Sequence, residues 1–157
     1  IHLAASLNVS EAQTNKKKYY KNNISGTKKL LLSCRNTTVE NIIFSSSAAV
    51  YGVPEYLPLD EKHPLKPINH YGYTKLQTEK TIDLYANKKQ IMYANLRYFN
   101  AAGYDALGRI KSLERNPANL IPSVMEVASG KRDKLLIYGN NFFVSHLLLI
   151  FINSNLS

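Results

Sequence analysis

Asn41-Ile42-Ile43-Phe44-Ser45-Ser46-Ser47-Ala48-Ala49-Val50-Tyr51-Gly52 is the stretch whose reading settles the architecture. It opens as a short apolar run, a strand over Asn41 to Ser45, and continues as a cluster of small residues that closes on glycine. Prolines 54, 58, 64 and 67 then make the segment up to Tyr71 a loop, and a helix is expected to begin near Tyr71. Beyond it, Ile91 to Tyr98 is a second strand candidate, rich in apolar and aromatic residues. Upstream, Ile1 to Ala4 reads as the end of a buried strand and residues 14 to 36 as a helix. Strands that alternate with helices in this way predict an α/β fold with a parallel sheet and crossover helices. Past Asn100 the chain turns irregular, then offers a helix over 118 to 129 and a short strand from Lys134 to Tyr138.

The helix that starts near Tyr71 carries Tyr71-Gly72-Tyr73-Thr74-Lys75. Tyr71 and Lys75 lie one helical turn apart, so both side chains project from one face and can act on one small molecule. A phenol ionises near pH ~10, too high for a useful base at neutrality, and a nearby ammonium lowers that value by favouring the phenolate. A serine hydroxyl bonded to the same substrate oxygen would complete a relay, and Ser47 is the best placed of its cluster. The candidate catalytic group is therefore Ser47, Tyr71 and Lys75. With 11 tyrosines and a lysine-rich composition, a Tyr-x-x-x-Lys match also arises by chance. A second match, Tyr85 and Lys89, has no serine cluster at a comparable distance upstream and lies where the helix should be ending at Asn87.

A chain of 157 residues is long enough for one domain with a sizeable core. Hydrophobic residues at 45% and charged residues at 20% are those of an ordinary globular protein. The net charge of +9 invites an anionic partner such as nucleic acid. Much of the excess, however, is Lys16-Lys17-Lys18, Lys28-Lys29 and Lys88-Lys89 on stretches that read as solvated helix faces, with no base-reading or RNA-stacking signature. No nucleic acid is expected as partner. The lone Cys34 has no internal disulfide partner and no signal peptide precedes it, which points to the cytoplasm. Cys34 falls on the helical stripe Tyr20, Ile24, Thr27, Leu31 and Cys34 and reads as a small buried hydrophobe.

Six blocks taken together go further. His2-Leu3-Ala4-Ala5, Tyr20-Lys21-Asn22-Asn23, Ser45 to Gly52, Tyr71 to Leu76, Leu96-Arg97-Tyr98-Phe99-Asn100-Ala101-Ala102-Gly103 and Gly130-Lys131-Arg132-Asp133 stand in the order found in UDP-glucose 4-epimerases. Over residues 1 to 141 the chain resembles that family of extended short-chain dehydrogenase/reductase enzymes. The resemblance implies a Rossmann-like doubly wound parallel sheet, incomplete at its N-terminus. Residues 1–100 would be the C-terminal part of an NAD-binding domain, 101–141 the start of a smaller substrate-binding lobe, and 142–157 an unmatched apolar tail.

It also implies roles. The family keeps NAD bound, and the tyrosinate removes the proton from the sugar C4 hydroxyl while hydride passes from C4 to the nicotinamide. The 4-keto sugar then rotates and takes the hydride back on its other face. Carried over by motif, Tyr71 is the base, Lys75 lowers its pKa and contacts the nicotinamide ribose, and Ser47 bonds the C4 oxygen. Ala4, Ala5, Asn22 and Tyr98 would join Tyr71 and Lys75 in lining the NAD site. Asn100 and Asn119 would contact the UDP diphosphate, with Leu136 and Tyr138 at the uracil. Each has a plainer alternative: Asn22 a solvated helix residue, Asn100 a turn former, Asn119 a helix cap, Leu136 and Tyr138 strand core. His2 and His70 are expected to be structural, and no metal site is expected.

Departures from the family pattern are Leu7 for a lysine near the cofactor, Ala49 for a frequent threonine, and His70 for a proline common before the tyrosine. The glycine-rich G-x-x-G-x-x-G turn that holds a dinucleotide pyrophosphate does not occur in these 157 residues. The family would place it about two βα units upstream, and its absence should remove most of the NAD affinity. At the other end the match stops near Gly139-Asn140-Asn141. Phe142 to Ile152 is too short to span a bilayer, for which roughly 20 residues are needed. The expected activity is NAD-dependent epimerisation of UDP-glucose and UDP-galactose at C4, by a protein that is a homodimer in its full-length form. The alternatives are a non-catalytic truncated or degenerate fragment, and a related nucleotide-sugar dehydratase. The latter usually places an acidic pair beside a threonine in the serine block, and Ser47-Ala48-Ala49 offers no such acid.

Overall fold

Alternate residues of the decisive stretch are buried, and this orients the sheet. Ile42, Phe44 and Ser46 face inward along β1 (Asn41–Ser47), while Ile43 between them is partly exposed. β1 pairs in parallel with β2 (Met92–Tyr98), in a register that runs from Asn41 opposite Met92 to Ser47 opposite Tyr98. The computed structural model describes residues 1–101, 107, 109, 120–136 and the backbone of 151–154. The chain divides into two compact units, residues 1–99 with 150–157, and residues 100–149.

In the first unit, the strand expected over Ile1 to Ala4 is reduced to one parallel bridge between His2 and Phe44. The His2 amide donates to the Ile43 carbonyl at 2.8 Å, and the Ser45 amide donates to the His2 carbonyl at 3.1 Å. The parallel pairing of β1 and β2 is the one expected, and on the other side β3 (Phe151–Ser154) adds an antiparallel strand to β2, giving the order β1-β2-β3. An edge strand presents unpaired N–H and C=O groups that a neighbour of either direction can meet.

The single helix expected over 14 to 36 is a succession of shorter pieces: α1 (Val9–Thr14), α2 (Lys16–Tyr19), a π-helical turn (Tyr20–Ser25), α3 (Gly26–Ser33) and a 3₁₀ turn (Cys34–Asn36). Two asparagines set the starts. The Asn8 side chain accepts from the Glu11 amide and the Asn15 side chain from the Lys18 amide, each satisfying a first-turn donor. The π turn inserts residues into the helical phase and shifts the buried stripe. Tyr19 is therefore fully buried and Tyr20 about half exposed, which corrects the stripe expected to begin at Tyr20. Ile24, Thr27 and Leu31 stay buried, whereas Cys34 ends only partly so.

The helix expected near Tyr71 is α4 (His70–Lys89), which continues past the expected stop at Asn87. Lys88 and Lys89 occupy its last turn, favourable to the helix dipole, and Gln90 closes it at φ 56°. Its inner face packs on β1: Ile82 joins Leu31, Ile42 and Phe44 in a core cluster flanked by Tyr85, Ile91 and Tyr93. Each such large apolar side chain contributes about 1.5–3 kcal/mol on burial. Tyr85 is thus a packing residue, and its helical mate Lys89 is exposed, as are Lys16, Lys17, Lys18, Lys28, Lys29 and Lys88.

In the second unit, α5 (Leu120–Ala128) lies within the helix expected over 118 to 129. The strand expected from Lys134 to Tyr138 is not formed at residues 134–136, which are irregular; 137 and 138 lie outside the described residues. A three-residue apolar run carries too little periodicity to distinguish strand from coil.

Candidate active site

β1 ends on Ser47, whose backbone is extended at φ −155° and ψ 147° and whose hydroxyl accepts from the Ala49 amide at 3.2 Å. That bond caps a 3₁₀ turn, Ala48–Val50, and turns the chain away from the sheet. Gly52 follows at φ 74°, and a Cβ there would stand 1.9 Å from the Lys66 carbonyl oxygen, so only glycine lets the loop close on itself. The loop returns to Asn69, whose side chain accepts from the Gly72 amide at 2.7 Å and starts α4. Gly72 meets the serine block face to face. A Cβ on it would lie 2.3 Å from the Ala49 carbonyl oxygen, so its lack of a side chain lets the first turn of α4 reach the end of β1.

This contact seats Tyr71 against Ala49, Ala12 and Tyr19. The Ser47 hydroxyl lies close enough to its phenol to bear on the phenol's ionisation. Burial pushes the Tyr71 phenol above its ordinary value, and Ser47 opposes that rise. Lys75 lies one turn along the same helix, as the spacing requires, with its ammonium turned to the strand. Its ammonium donates to the Ser45 carbonyl at 2.7 Å, 4.9 Å from the centre of the Phe44 ring and 5.7 Å from that of Tyr71. Lys75 is only 2% exposed, and burial drives its pKa down to about 8, opposed by the Glu79 carboxylate. His2 lies close enough that, after burial, Lys75 is the next cause holding the imidazole below its ordinary value. The His2 Nε2 donates to the Thr27 hydroxyl at 2.8 Å, since that hydroxyl is itself the donor to the Asn23 carbonyl.

The residues expected to line a dinucleotide are distributed around this group. Tyr98 is the strand neighbour of Ser47 and partly buried. Ala4 is exposed and Ala5 partly so, just beyond the His2 bridge. Asn22 is exposed on the π turn, and its amide donates to the Ser6 hydroxyl at 3.1 Å. Its buried neighbour Asn23, to which no role was assigned, holds the segment in place. It accepts from the Ser6 amide at 2.8 Å, donates to the Ser6 carbonyl at 3.2 Å, and donates to Thr74 between Tyr71 and Lys75. Leu7, in place of the family lysine, is exposed. His70, in place of the family proline, donates its amide to the Gln13 side chain at 3.1 Å, a bond that proline could not make.

In the second unit, Asn100 is partly buried at a bend, and Leu136 is 60% exposed. Leu136 lines a groove with Leu120, Ser123, Arg132 and Asp133, so its plainer reading as strand core is corrected. Arg132 is fixed there by bonds to Glu126 at 2.9 and 2.7 Å. Asn119 and Tyr138 lie outside the described residues.

Sequence reading also missed Glu79 and the work of Arg97. The Arg97 Nε and Nη2 donate to the two carboxylate oxygens of Glu79 at 3.1 and 2.8 Å, its Nη1 donates to the Tyr51 hydroxyl at 3.1 Å, and Ser46 donates to Glu79. The signal was present as a four-residue spacing, Tyr71, Lys75, Glu79, along one helix face. Among the described residues no helix is long and apolar enough to cross a membrane.

Residues 1–142 match the model of the NAD dependent epimerase/dehydratase family. The chain is 42% identical to the UDP-glucose 4-epimerase of Halalkalibacterium halodurans over 142 residues, which cover 90% of this chain and 42% of that protein. Its structure superposes with a TM-score of 0.84, at 44% identity, on UDP-glucose 4-epimerase from Brucella ovis in complex with NAD, over 91% of this chain and 44% of that one. With the Bifidobacterium longum enzyme in complex with NAD+ and UDP the TM-score is 0.81 at 36% identity, with the same coverage. The chain thus spans less than half the length of these relatives. A match to the family model over 142 of 157 residues, joined to α/β neighbours at this identity, establishes that the chain belongs to the NAD dependent epimerase/dehydratase family.

Proposed function

We propose that this chain carries the acid/base group of a UDP-glucose 4-epimerase, which interconverts UDP-glucose and UDP-galactose with NAD as cofactor. The observation that carries the reading is the convergence of Ser47, Tyr71 and Lys75 at the junction of β1 and α4. The donor set fits a nucleotide cofactor: a phenol, a buried ammonium and a carboxamide, with two small alanines just past the His2 bridge. Lys75, Tyr71 and Asn22 would hold it, with Ala4, Ala5 and Tyr98 against its surface. When bound, NAD supplies the hydride acceptor and donor for the sugar carbon.

The chain's own residues move and hold the proton. Tyr71, as phenolate, takes the proton of the C4 hydroxyl and returns it from the same oxygen. Ser47, close to that phenol, holds the C4 oxygen and keeps the transfer path short. Lys75 would supply the positive charge that favours the phenolate. Asn100 and Asn119 serve the diphosphate of the substrate, and Leu136 and Tyr138 its uracil. The absence of an acid in Ser47-Ala48-Ala49 favours epimerisation over dehydration. The exposed Leu30, Leu32, Tyr73 and Leu84 on α3 and α4 support pairing of two copies through these helices in the whole protein.

Purified chain, incubated with NAD and UDP-galactose, is analysed for UDP-glucose by chromatography. Conversion that disappears in the Tyr71→Phe variant is the expected result. A folded chain saturated with NAD that converts nothing would overturn the proposal.

A further inference from the structure

We propose that Glu79 is a positioning residue that holds the Lys75 side chain as an ammonium, its carboxylate fixed by Arg97 and Ser46 on the buried face of α4. The inference rests on the reading of Lys75 as part of the acid/base group. Two consecutive residues of β1 meet two residues one turn apart on α4: the Ser45 carbonyl accepts from Lys75 and the Ser46 hydroxyl donates to Glu79, with the Ser47 hydroxyl next along the strand near the Tyr71 phenol. Tyr71, Lys75 and Glu79 recur every fourth residue on that helix and are 9%, 2% and 4% exposed.

An ammonium buried to this extent is driven toward its neutral form, and a neutral lysine could not favour a phenolate. Among the described residues, the groups facing it leave Glu79 as its source of negative charge. From α4 come Glu79 and the protonated Tyr71, from β1 the Phe44 ring and the Ser45 carbonyl, from the N-terminal segment His2, and from β2 Arg97 behind Glu79. Electrostatically, Glu79 raises the Lys75 pKa against desolvation, and His2 and Lys75 disfavour each other's charge. The Glu79 carboxylate itself accepts two bonds from Arg97 and one from Ser46. Arg97 is steadied in turn by the Tyr51 hydroxyl, with its guanidinium carbon 5.0 Å from the centre of the Tyr51 ring. Apolar residues often replace a buried ion pair without loss of stability, so stability alone gives little reason for one here.

The test is a direct titration of Lys75 by NMR on chain labelled at the lysine ε-carbon, its signal assigned by its loss in Lys75→Met. Wild type is compared with Glu79→Gln and with the double variant Glu79→Gln/Arg97→Gln, which leaves no unpaired buried charge. The Lys75 midpoint should fall by about one pH unit in the double variant and by more in Glu79→Gln, where Arg97 is left uncompensated. A midpoint within about 0.2 of wild type in the folded double variant would overturn the assignment. Failure of both variants to fold would also overturn it, leaving the pair a purely structural role. UDP-galactose turnover is scored separately. A shifted Lys75 without turnover keeps the electrostatic assignment and sinks the epimerase reading, and an unshifted Lys75 in an active chain does the reverse.

Discussion

The Lys75 ammonium donates to the backbone carbonyl of Ser45 at 2.7 Å, and its nitrogen stands 5.7 Å from the centre of the Tyr71 ring. The lysine is thus anchored to the strand, and burial raises the pKa of the phenol above its ordinary value.

Burial makes Lys75 a source of instability at neutral pH. Its folded pKa, about 8, lies below the ordinary 10.5, so the unfolded chain binds more protons in that window and stability rises with pH across it. The difference corresponds to at most about 3 kcal/mol at ~1.36 kcal/mol per pH unit. Urea unfolding of wild type and Lys75→Met between pH 7 and pH 10.5 checks this. The variant should be the more stable at pH 7, with the gap narrowing as pH rises. A gap that stays constant with pH would remove the argument.

Tyr71→Phe deletes one hydroxyl and leaves the ring packed on Ala49, Ala12 and Tyr19. On the proposed function, turnover of UDP-galactose should fall by about 10²–10⁴-fold, the usual worth of a positioned acid/base group. Stability should change by no more than about 1.5 kcal/mol, the worth of one hydrogen bond. Retained turnover in this variant would exclude Tyr71 as the base.

Arg97→Met leaves the Glu79 carboxylate buried without its bidentate partner. That change should cost about 3–5 kcal/mol in urea unfolding, whereas the double variant Glu79→Gln/Arg97→Met should cost much less. Equal losses in the two variants would mean that Arg97 contributes by packing rather than by charge.

At an exposed helical site Gly72→Ala would be stabilising by about 1 kcal/mol. Here the new methyl meets the Ala49 carbonyl oxygen at 2.3 Å, so the first turn of α4 must move off the serine block. The expected outcome is a destabilisation of about 1–3 kcal/mol together with a loss of turnover, because Ser47 and Tyr71 separate. Thermal unfolding monitored by circular dichroism measures the first and the UDP-galactose assay the second. An unchanged melting temperature would show that the close approach does not matter.

The strand at Asn41, the proline-marked loop and the helix at Tyr71 were legible because each depends on local periodicity and turn chemistry. The Tyr71 and Lys75 pair was legible for the same reason, since four residues along a helix bring two side chains onto one face. The breaks in the helix at 14 to 36 were not. Asn15 and the π turn from Tyr20 to Ser25 replace even periodicity by a shifted one that seats Tyr19 rather than Tyr20 in the core.

Residue order alone therefore dictated where strand, loop and helix fall and which face carries Tyr71 and Lys75, because those properties come from interactions between neighbours in sequence. Only the packed chain decided that Lys75 turns to Ser45, that Glu79 and Arg97 share a buried site with Ser46 and Tyr51, and that Gly72 admits Ala49. Those contacts join residues 18 to 46 positions apart, and burial, which sets the charge state of Lys75, exists only once the strands and helices have closed over it.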